Sequence, residues 1–323
     1  MFEEANALLE GVAGQTREMR KLVASDVAPD IAPGDHCFAP YMCPYYAHCT
    51  RGRSAPEHGI DELPWLGAKR RRELKDRGIE EIRDIPPDYP LYWLQRIVRR
   101  AVREDRGAAH GDLARALATI RPPIRHLDFE TFAPAVPRFA GTRAYDPIPF
   151  LFSVHTERDG LPPEHADYLH EGRDDPRPRL ADRLIGAAGR EGSICAYTGY
   201  ERQVLWGLIR ALPERAEALR AIEARLFDLH RAVLFNYYHP GFRGSFSLKN
   251  VSPALSPETG YGDLAIADGH TAAARYALAL ETADDERRRP LFDDLRAYCA
   301  RDTLATVKLR QALSRIAGPA ASE

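Results

Sequence analysis

Residues 2–23 carry Leu8, Leu9, Val12, Met19, Leu22 and Val23 at near-helical spacing. The pattern stops before the Pro- and Gly-bearing APDIAPGD, so one amphipathic helix is expected first. The next stretch, HCFAPYMCPYYAHC, has no period, which points to a ligand rather than an apolar face as its organiser. From Gly59 to Pro86 the pattern predicts two short helices around a Leu-Pro-x-Leu-Gly turn, with Leu74, Ile79, Ile82 and Ile85 inward. A third helix, Leu91 to about Arg106, would bury Leu94, Ile97, Val98, Ala101 and Val102. Residues 107–123 read as a linker ending in Arg-Pro-Pro. Beyond it IRHLDFETF, IPFLFSVHT, HADYLHE and GSICAYTGY are short apolar or aromatic runs bounded by Pro and Gly, as buried strands are. Helical patterns fall at about 177–189, 201–211, 214–224, 270–282 and 286–315. The expected organisation is a helix and cysteine segment (1–58), basic helices (59–106), a linker (107–123) and an α/β domain (124–315) with a mixed sheet flanked by helices.

Composition narrows function little. A chain of 323 residues, 44% hydrophobic and 28% charged, is long enough for about two domains with buried cores. Lys plus Arg (45) against Asp plus Glu (47) leaves −2, so any nucleic-acid surface has to be local. The local surplus sits between Trp65 and Arg106, with 12 Lys/Arg against 8 Asp/Glu. No apolar run reaches the ~18 residues of a membrane span, and the acidic N-terminal sequence is unlike a signal peptide. A cytoplasmic protein without a membrane partner is therefore expected. Five cysteines, three of them within thirteen residues, point to metal or cluster chemistry rather than a disulfide framework.

Three acidic patterns carry the candidate chemistry. In HLDFETF, strand alternation sends Asp128 and Glu130 to one face, about 7 Å apart. Burying two like charges is costly unless something compensates, and a divalent cation is the usual compensation. A strand that merely ends in solvated acids is the alternative. In SICAYTGYERQVLWGL a strand would end near Tyr197 and Glu201 would open the next helix, at a strand exit where open sheets bind ligands. There the alternative is a helix-start glutamate favoured by the dipole. In RAYCARDTLATV, Tyr298 and Asp302 are four apart and share a helical face, with Cys299 and Arg301 pointing elsewhere; an ordinary surface pair is the alternative.

Taken in order, these patterns resemble the signature of the DnaQ-like 3′–5′ exonucleases of RNase H-like fold, in the tyrosine variety of the DEDD class, over about residues 124–310. The resemblance implies that Asp128, Glu130, Glu201 and Asp302 hold two Mg²⁺ or Mn²⁺ ions, that Tyr298 orients the attacking water, and that the substrate is single-stranded DNA or RNA. Two such ions about 4 Å apart activate water and stabilise the leaving alkoxide. A phenol with an ordinary pKa near 10 is a poor base at neutral pH and a better hydrogen-bond guide. Thr198 stands where the family has Asn, and Glu201 where it has Asp. Asp228, in RLFDLHR, is either the second-motif acid instead or a helix cap. Lys249, with Arg243 and Asn250, occupies the place of a Ser-Leu-Lys-type helix bordering the substrate channel and would meet phosphates. Two other readings stay open: a catalytically impaired nucleic-acid-binding module, and a structural or interaction subunit of a nuclease system.

Cys37, Cys43 and Cys49 resemble the C-terminal cysteine trio of RecB-like and CRISPR-associated nucleases. That resemblance implies a [4Fe–4S] site whose fourth cysteine comes from an N-terminal nuclease module that this chain lacks. Zn²⁺ held with His36, His48 or His58, or free thiols, are the alternatives, and the x5 spacing is loose for zinc pairs. Cys195 and Cys299 read as buried small hydrophobes. LPWLGAKRRRELKDRGI resembles a helix-hairpin-helix, in which Gly67 would let the backbone approach a phosphate and Lys69, Arg70, Arg71 and Arg72 would supply charge. A solvated basic helix is the other reading.

Overall fold

The structure, a computed structural model, describes residues 2–38, 43–52, 56–158 and 160–318. It divides into two units, Met1–Glu57 with Leu66–Gly78, and His58–Trp65 with Ile79–Glu323. The first contains α1 (Phe2–Val23), the short α2 (Tyr46–Cys49) and α3 (Ala68–Asp76). Helix α1 forms where the 3.6-residue period predicts it, yet Leu8, Leu9, Met19 and Val23 are exposed. Residues 39–42 of the cysteine segment lie outside the described residues. The expected 59–106 segment is shared between the units. Both flanks of α3 belong to the larger one, because Ile60 N–H donates to Glu80 O and Ile82 N–H to His58 O, each at 2.9 Å.

The larger unit continues with α4 (Trp93–Glu104), β1 (Ala108–Ala109), α5 (Leu113–Leu117), β2 (Ile124–Phe132), β3 (Ile148–Glu157), β4 (Glu164–Leu169) and α6 (Arg177–Ala188). Then come β5 (Ile194–Ala196), α7 (Tyr200–Ala211), α8 (Ala216–Glu223), β6 (Leu226–Asp228), α9 (Leu229–Asn236), β7 (Tyr237–Tyr238), α10 (Leu248–Leu255), α11 (Gly269–Glu281) and α12 (Asp285–Ala317). The stretch 107–123, expected as a linker, is integrated: β1 pairs antiparallel with β7, and Asp112 caps α5 by accepting from Arg115 N–H at 2.9 Å. No helix among the described residues is long and apolar enough to cross a membrane.

The main sheet has the order β4-β3-β2-β5-β6, with β2, β3 and β4 antiparallel and β5 and β6 parallel to β2. The fold is therefore mixed α/β with a mixed sheet flanked by helices, as expected from strands first and helices after. Alternation divides the strands between two faces. Leu127, Phe129, Phe152 and Val154 pack with Leu180, Leu184, Val204 and Leu205 of α6 and α7. His126, Asp128 and Ser153 turn to the opposite face, where they bond to Thr306, Cys299 and Thr303 of α12. Each fully buried Leu or Phe contributes about 2 kcal/mol. The apolar face can thus offset the several kcal/mol that each desolvated carboxylate costs on the other.

A register shift falls between Glu130 and Thr131, which pair with Leu151 and Pro149 and leave Phe150 as the extra residue. Pro149 has no N–H to give a ladder, and a bulge is where a sheet tolerates it. Gly192 adjoins the start of β2: at φ +77 a Cβ there would meet Pro123 O at 1.9 Å. Only glycine lets β5 enter the sheet so close to Pro123, and the bond from Arg125 N–H to Ser193 O at 2.9 Å follows from that approach. Further along α12, Glu157 accepts from His126 Nε2 (2.7 Å), Arg310 (2.7 and 2.8 Å) and Gln311 (2.8 Å). Burial raises the Glu157 carboxyl, but the bonds from His126, Arg310 and Gln311 outweigh it and hold the group at about 2. This network fixes the helix against β2 and β3.

Candidate functional site

Strand alternation carries Asp128 and Glu130 to the α12 side of the sheet, just before the bulge. Helix α12 answers with Tyr298, Cys299 and Asp302. One ligand atom each from Asp128, Glu130 and Cys299 lies within 4.8 Å of the others. Asp128, Glu130, Tyr298 and Asp302 line one cleft of about 750 Å³, together with Tyr145, Tyr200 and His270. Residues far apart in sequence therefore meet at one place.

Glu201 arrives from a different element. Strand β5 ends at Ala196, Thr198 turns the chain at φ +90, and Gly199 caps α7, whose second residue is Glu201. Glu201 is 3% exposed, and its Oε2 has no hydrogen-bond partner among the described residues. A buried carboxylate oxygen without a donor is expensive unless it is protonated or meets a cation.

All four acids are held above the ordinary carboxylate range. Burial is the largest cause for each. For Asp128 the Asp302 charge adds to it, for Glu130 the charges of Asp128 and Asp302, and for Glu201 that of Asp128. For Asp302 burial is opposed by the hydroxyl of Tyr261, the charge of Lys249 and the hydroxyl of Tyr298. Tyr261 OH donates to Asp302 Oδ1. Cys299 Sγ–H donates to Asp128 Oδ2 at 3.3 Å, and burial, with the Asp128 charge behind it, pushes the thiol well above its usual value. Cys299 is thus a protonated donor to the site, correcting its assignment to a face that points elsewhere: α12 is packed on the sheet over a wide arc, and 100° of helical rotation still faces β2. Arg301 does point elsewhere, pairing with Asp263 at 2.7 Å.

Lys249, expected to border a substrate channel, reaches the acidic site, donating to Tyr298 OH at 2.8 Å and to Ala267 O, with its ammonium 4.9 Å from the Tyr298 ring centre and 5.3 Å from that of Tyr261. A long flexible stem lets α10 deliver a charge to carboxylates it does not adjoin in sequence. One ammonium offsets only part of the burial and mutual repulsion that raise these acids. Tyr200, the aromatic that precedes Glu201 in the second motif, shares a 2.5 Å hydrogen bond with Thr131, and Tyr261 is a site component that sequence reasoning missed. Tyr261 belongs to no pattern: an isolated tyrosine carries no signal until its neighbours are known.

The other candidates have different surroundings. Asp228 caps α9, accepting from Arg231 N–H at 3.0 Å, which is the cap reading of that residue. Arg243 pairs with Glu62 at 3.4 Å, and Asn250 accepts from Ser247 Oγ at 2.7 Å. Of the basic run, Lys69 and Arg72 are exposed and Arg70 is half-buried. Arg71 is buried, its guanidinium 4.0 Å from the Phe38 ring centre and donating to Leu66 O at 3.2 Å. It packs the fold rather than facing a phosphate. Gly67 has φ −68 and open space at its Cβ, so its turn does not require glycine. Cys37 is buried, Cys43 half-buried and Cys49 exposed, and among the described residues they form no group of ligand atoms within 4.8 Å. His58 is engaged by Glu62 at 2.8 Å.

Residues 125–247 match the model of a domain of unknown function (DUF2779). The matched span holds Asp128, Glu130 and Glu201 and stops before Lys249, Tyr298 and Asp302. No curated protein and no solved structure matches the chain.

Proposed function

We propose that the protein is a metal-dependent nuclease that hydrolyses phosphodiester bonds, with the chemistry of a 3′–5′ exonuclease acting on single strands. The observation that carries this reading is the convergence of Asp128, Glu130, Glu201 and Asp302, from three separate regions, around a site with Lys249 as counter-charge. Sheet order supports it: a three-strand antiparallel meander followed by two parallel strands, with the first strand central, is the arrangement of RNase H-like folds, and Asp128 lies on that strand.

The donor set fits hard divalent cations. Asp128, Glu130, Asp302 and the unpartnered Glu201 offer oxygen, which suits Mg²⁺ or Mn²⁺. Such ions supply activation of water and neutralisation of the leaving alkoxide. This chain's residues do the rest. Burial, followed by the neighbouring acids, raises the Tyr298 hydroxyl, so it keeps its proton and acts as a hydrogen-bonding guide for water, not as a base. Lys249 fixes that hydroxyl by donating to it, and Tyr261 fixes the Asp302 carboxylate. Tyr200 and Tyr145 offer aromatic walls to the terminal base.

Degradation of 3′- and 5′-labelled single strands with Mn²⁺ tests the proposal. The parent shortens the 5′-labelled strand stepwise, and Asp128→Ala abolishes this; equal activity in both would remove the site. Thr198 at φ +90 and the longer reach of Glu201 favour a second reading, an impaired binding module, whose signature is Mn²⁺ binding without turnover.

A further inference from the structure

A second concave surface lies in the larger unit, between α4 and α9. Its volume is about 1120 Å³, and it is lined by Trp93, His110 and Phe235 together with Arg96, Arg99, Arg100 and Arg103. Trp93 and Phe235 are 41% and 47% exposed, and their rings lie 15° from parallel with centres 6.3 Å apart. The β1–β7 pairing and the bond from His110 N–H to Asn236 O at 3.0 Å hold the two helices in this relation.

The arginines are arranged rather than scattered. Positions 96, 99, 100 and 103 form one stripe of α4, opposite the buried Leu94, Val98, Ala101 and Val102. Like charges at this spacing destabilise a helix. Among the described residues none of the four pairs with a carboxylate, and Glu104 is engaged by Arg106 at 2.9 Å. Backbone carbonyls orient three of them without neutralising them: Arg96 donates to Leu91 O (3.1 Å), Arg99 to Pro86 O (2.5 Å) and Pro87 O (3.3 Å), and Arg100 to Ala109 O (3.1 Å). The Asp88 charge acts on Arg99 and Glu104 lines the same groove, which leaves two carboxylates against four guanidiniums. An anionic ligand would offset the rest.

We propose that this groove binds single-stranded nucleic acid, with bases stacked on Trp93 and Phe235 and phosphates held by the α4 arginine stripe. The aromatic faces decide between polyanions. A base offers a π face to them, whereas an acidic peptide or an anionic bilayer offers only charge. The groove also has a direction. Arg231, one turn before Phe235 on α9, lies 5.4 Å from that ring centre and lines a hollow of about 430 Å³ with Thr198, Gly199, Asp228 and Arg202, the last paired with Glu223, beside the turn that carries Glu201. Arg231 therefore lies between the groove at Phe235 and the turn that precedes Glu201. The proposal extends the nuclease reading to how the strand is held.

The test is fluorescence anisotropy of a labelled oligothymidylate of about 15 nucleotides, near the upper end of single-strand site sizes, with the full chain in EDTA. Without metal the result is independent of cleavage, so loss of the nuclease reading and loss of this one are separable. Trp93→Ala should weaken binding by about tenfold, the effect of losing one stacked base. Arg103→Glu should weaken it and lower the slope of log K against log salt by about 0.7, one phosphate contact on a single strand. Both side chains face solvent, and an unchanged far-UV circular dichroism spectrum and thermal midpoint verify folding. Unchanged affinity in folded Trp93→Ala and Arg103→Glu would overturn the proposal. So would polyglutamate or phosphatidylserine vesicles competing as well as unlabelled oligothymidylate.

Discussion

Asp128→Asn isolates the electrostatic cost of the acidic site. The amide keeps an oxygen that can accept from Cys299 Sγ–H, so the change removes charge with little change of shape. Asp128 and Glu130 present oxygens within 4.8 Å of one another. Two unit charges at 4.8 Å in an effective dielectric of about 20 repel by about 3.5 kcal/mol. Holding a proton at pH 7 on a carboxyl whose ordinary pKa is near 4 costs about 4 kcal/mol, so neutralisation by protonation is no cheaper. Allowing for the desolvated amide that replaces the acid, the metal-free variant should gain about 2 kcal/mol. For a chain of this size that is a rise of about 3 °C in the thermal midpoint. Mn²⁺ should do the reverse: at a hundred times its Kd it adds about 2.7 kcal/mol to the parent, and much less to the variant. Scanning fluorimetry of both proteins in EDTA and in Mn²⁺ measures all four midpoints. An Asn variant that melts lower than its parent in EDTA and gains as much from Mn²⁺ would refute this reasoning.

Because the four acids sit above their ordinary range, the folded protein binds more protons than the unfolded chain between that range and their raised values. Their effect on metal-free stability is therefore most favourable below about pH 4 and declines as pH rises. Melting in EDTA across pH should show this decline toward alkaline pH, and saturating Mn²⁺ should flatten it. Glu157 has the opposite sign: its stabilisation is present above the ordinary glutamate range and is lost as pH falls toward about 2. Glu157→Gln should cost about 2 kcal/mol at neutral pH, the worth of a charged hydrogen-bond set, as a lower urea midpoint; an unchanged midpoint would mean the network does not hold α12. Tyr298→Phe should lower kcat by about tenfold to a hundredfold while leaving the Mn²⁺-induced rise in midpoint nearly intact, and a matching loss of both would make the hydroxyl a structural element. Cys299→Ser should keep the Mn²⁺ response, since a hydroxyl can donate to Asp128 as the thiol does; loss of the response would make the sulfur a ligand.

The long periodic elements were legible in the residues. Strand β2 spans the IRHLDFETF run, and α6, α7, α11 and α12 begin and end within two residues of their patterns. Segment β6 escaped because three residues are too few for a period, and α9 because its buried Leu229, Ala232 and Val233 follow so closely on that strand. The positions of Asp128, Glu130 and Asp302 could be anticipated because strand and helix geometry dictates which neighbours share a face. Lys249 was named through the resemblance alone, and its bond to Tyr298 depends on how α10 packs on α12, which no periodicity shows. Cys299 was assigned to the wrong side because helical periodicity says where a residue points around its own axis and not how wide an arc the sheet covers. The arginine stripe of α4 was visible as a charge surplus, but its aromatic companion Phe235 comes from α9, which the pattern did not reveal.

The separation of 171 residues between Asp128 and Cys299 has a consequence during translation. The sheet can begin to assemble while α12 is still inside the ribosome, since strands β2 to β6 are made first and domains fold as they emerge. The half-built pocket lacks Tyr298 and Asp302 until the last long helix docks. A nascent chain thus carries the acids of β2 through most of its synthesis before the two α12 residues that complete their pocket are made.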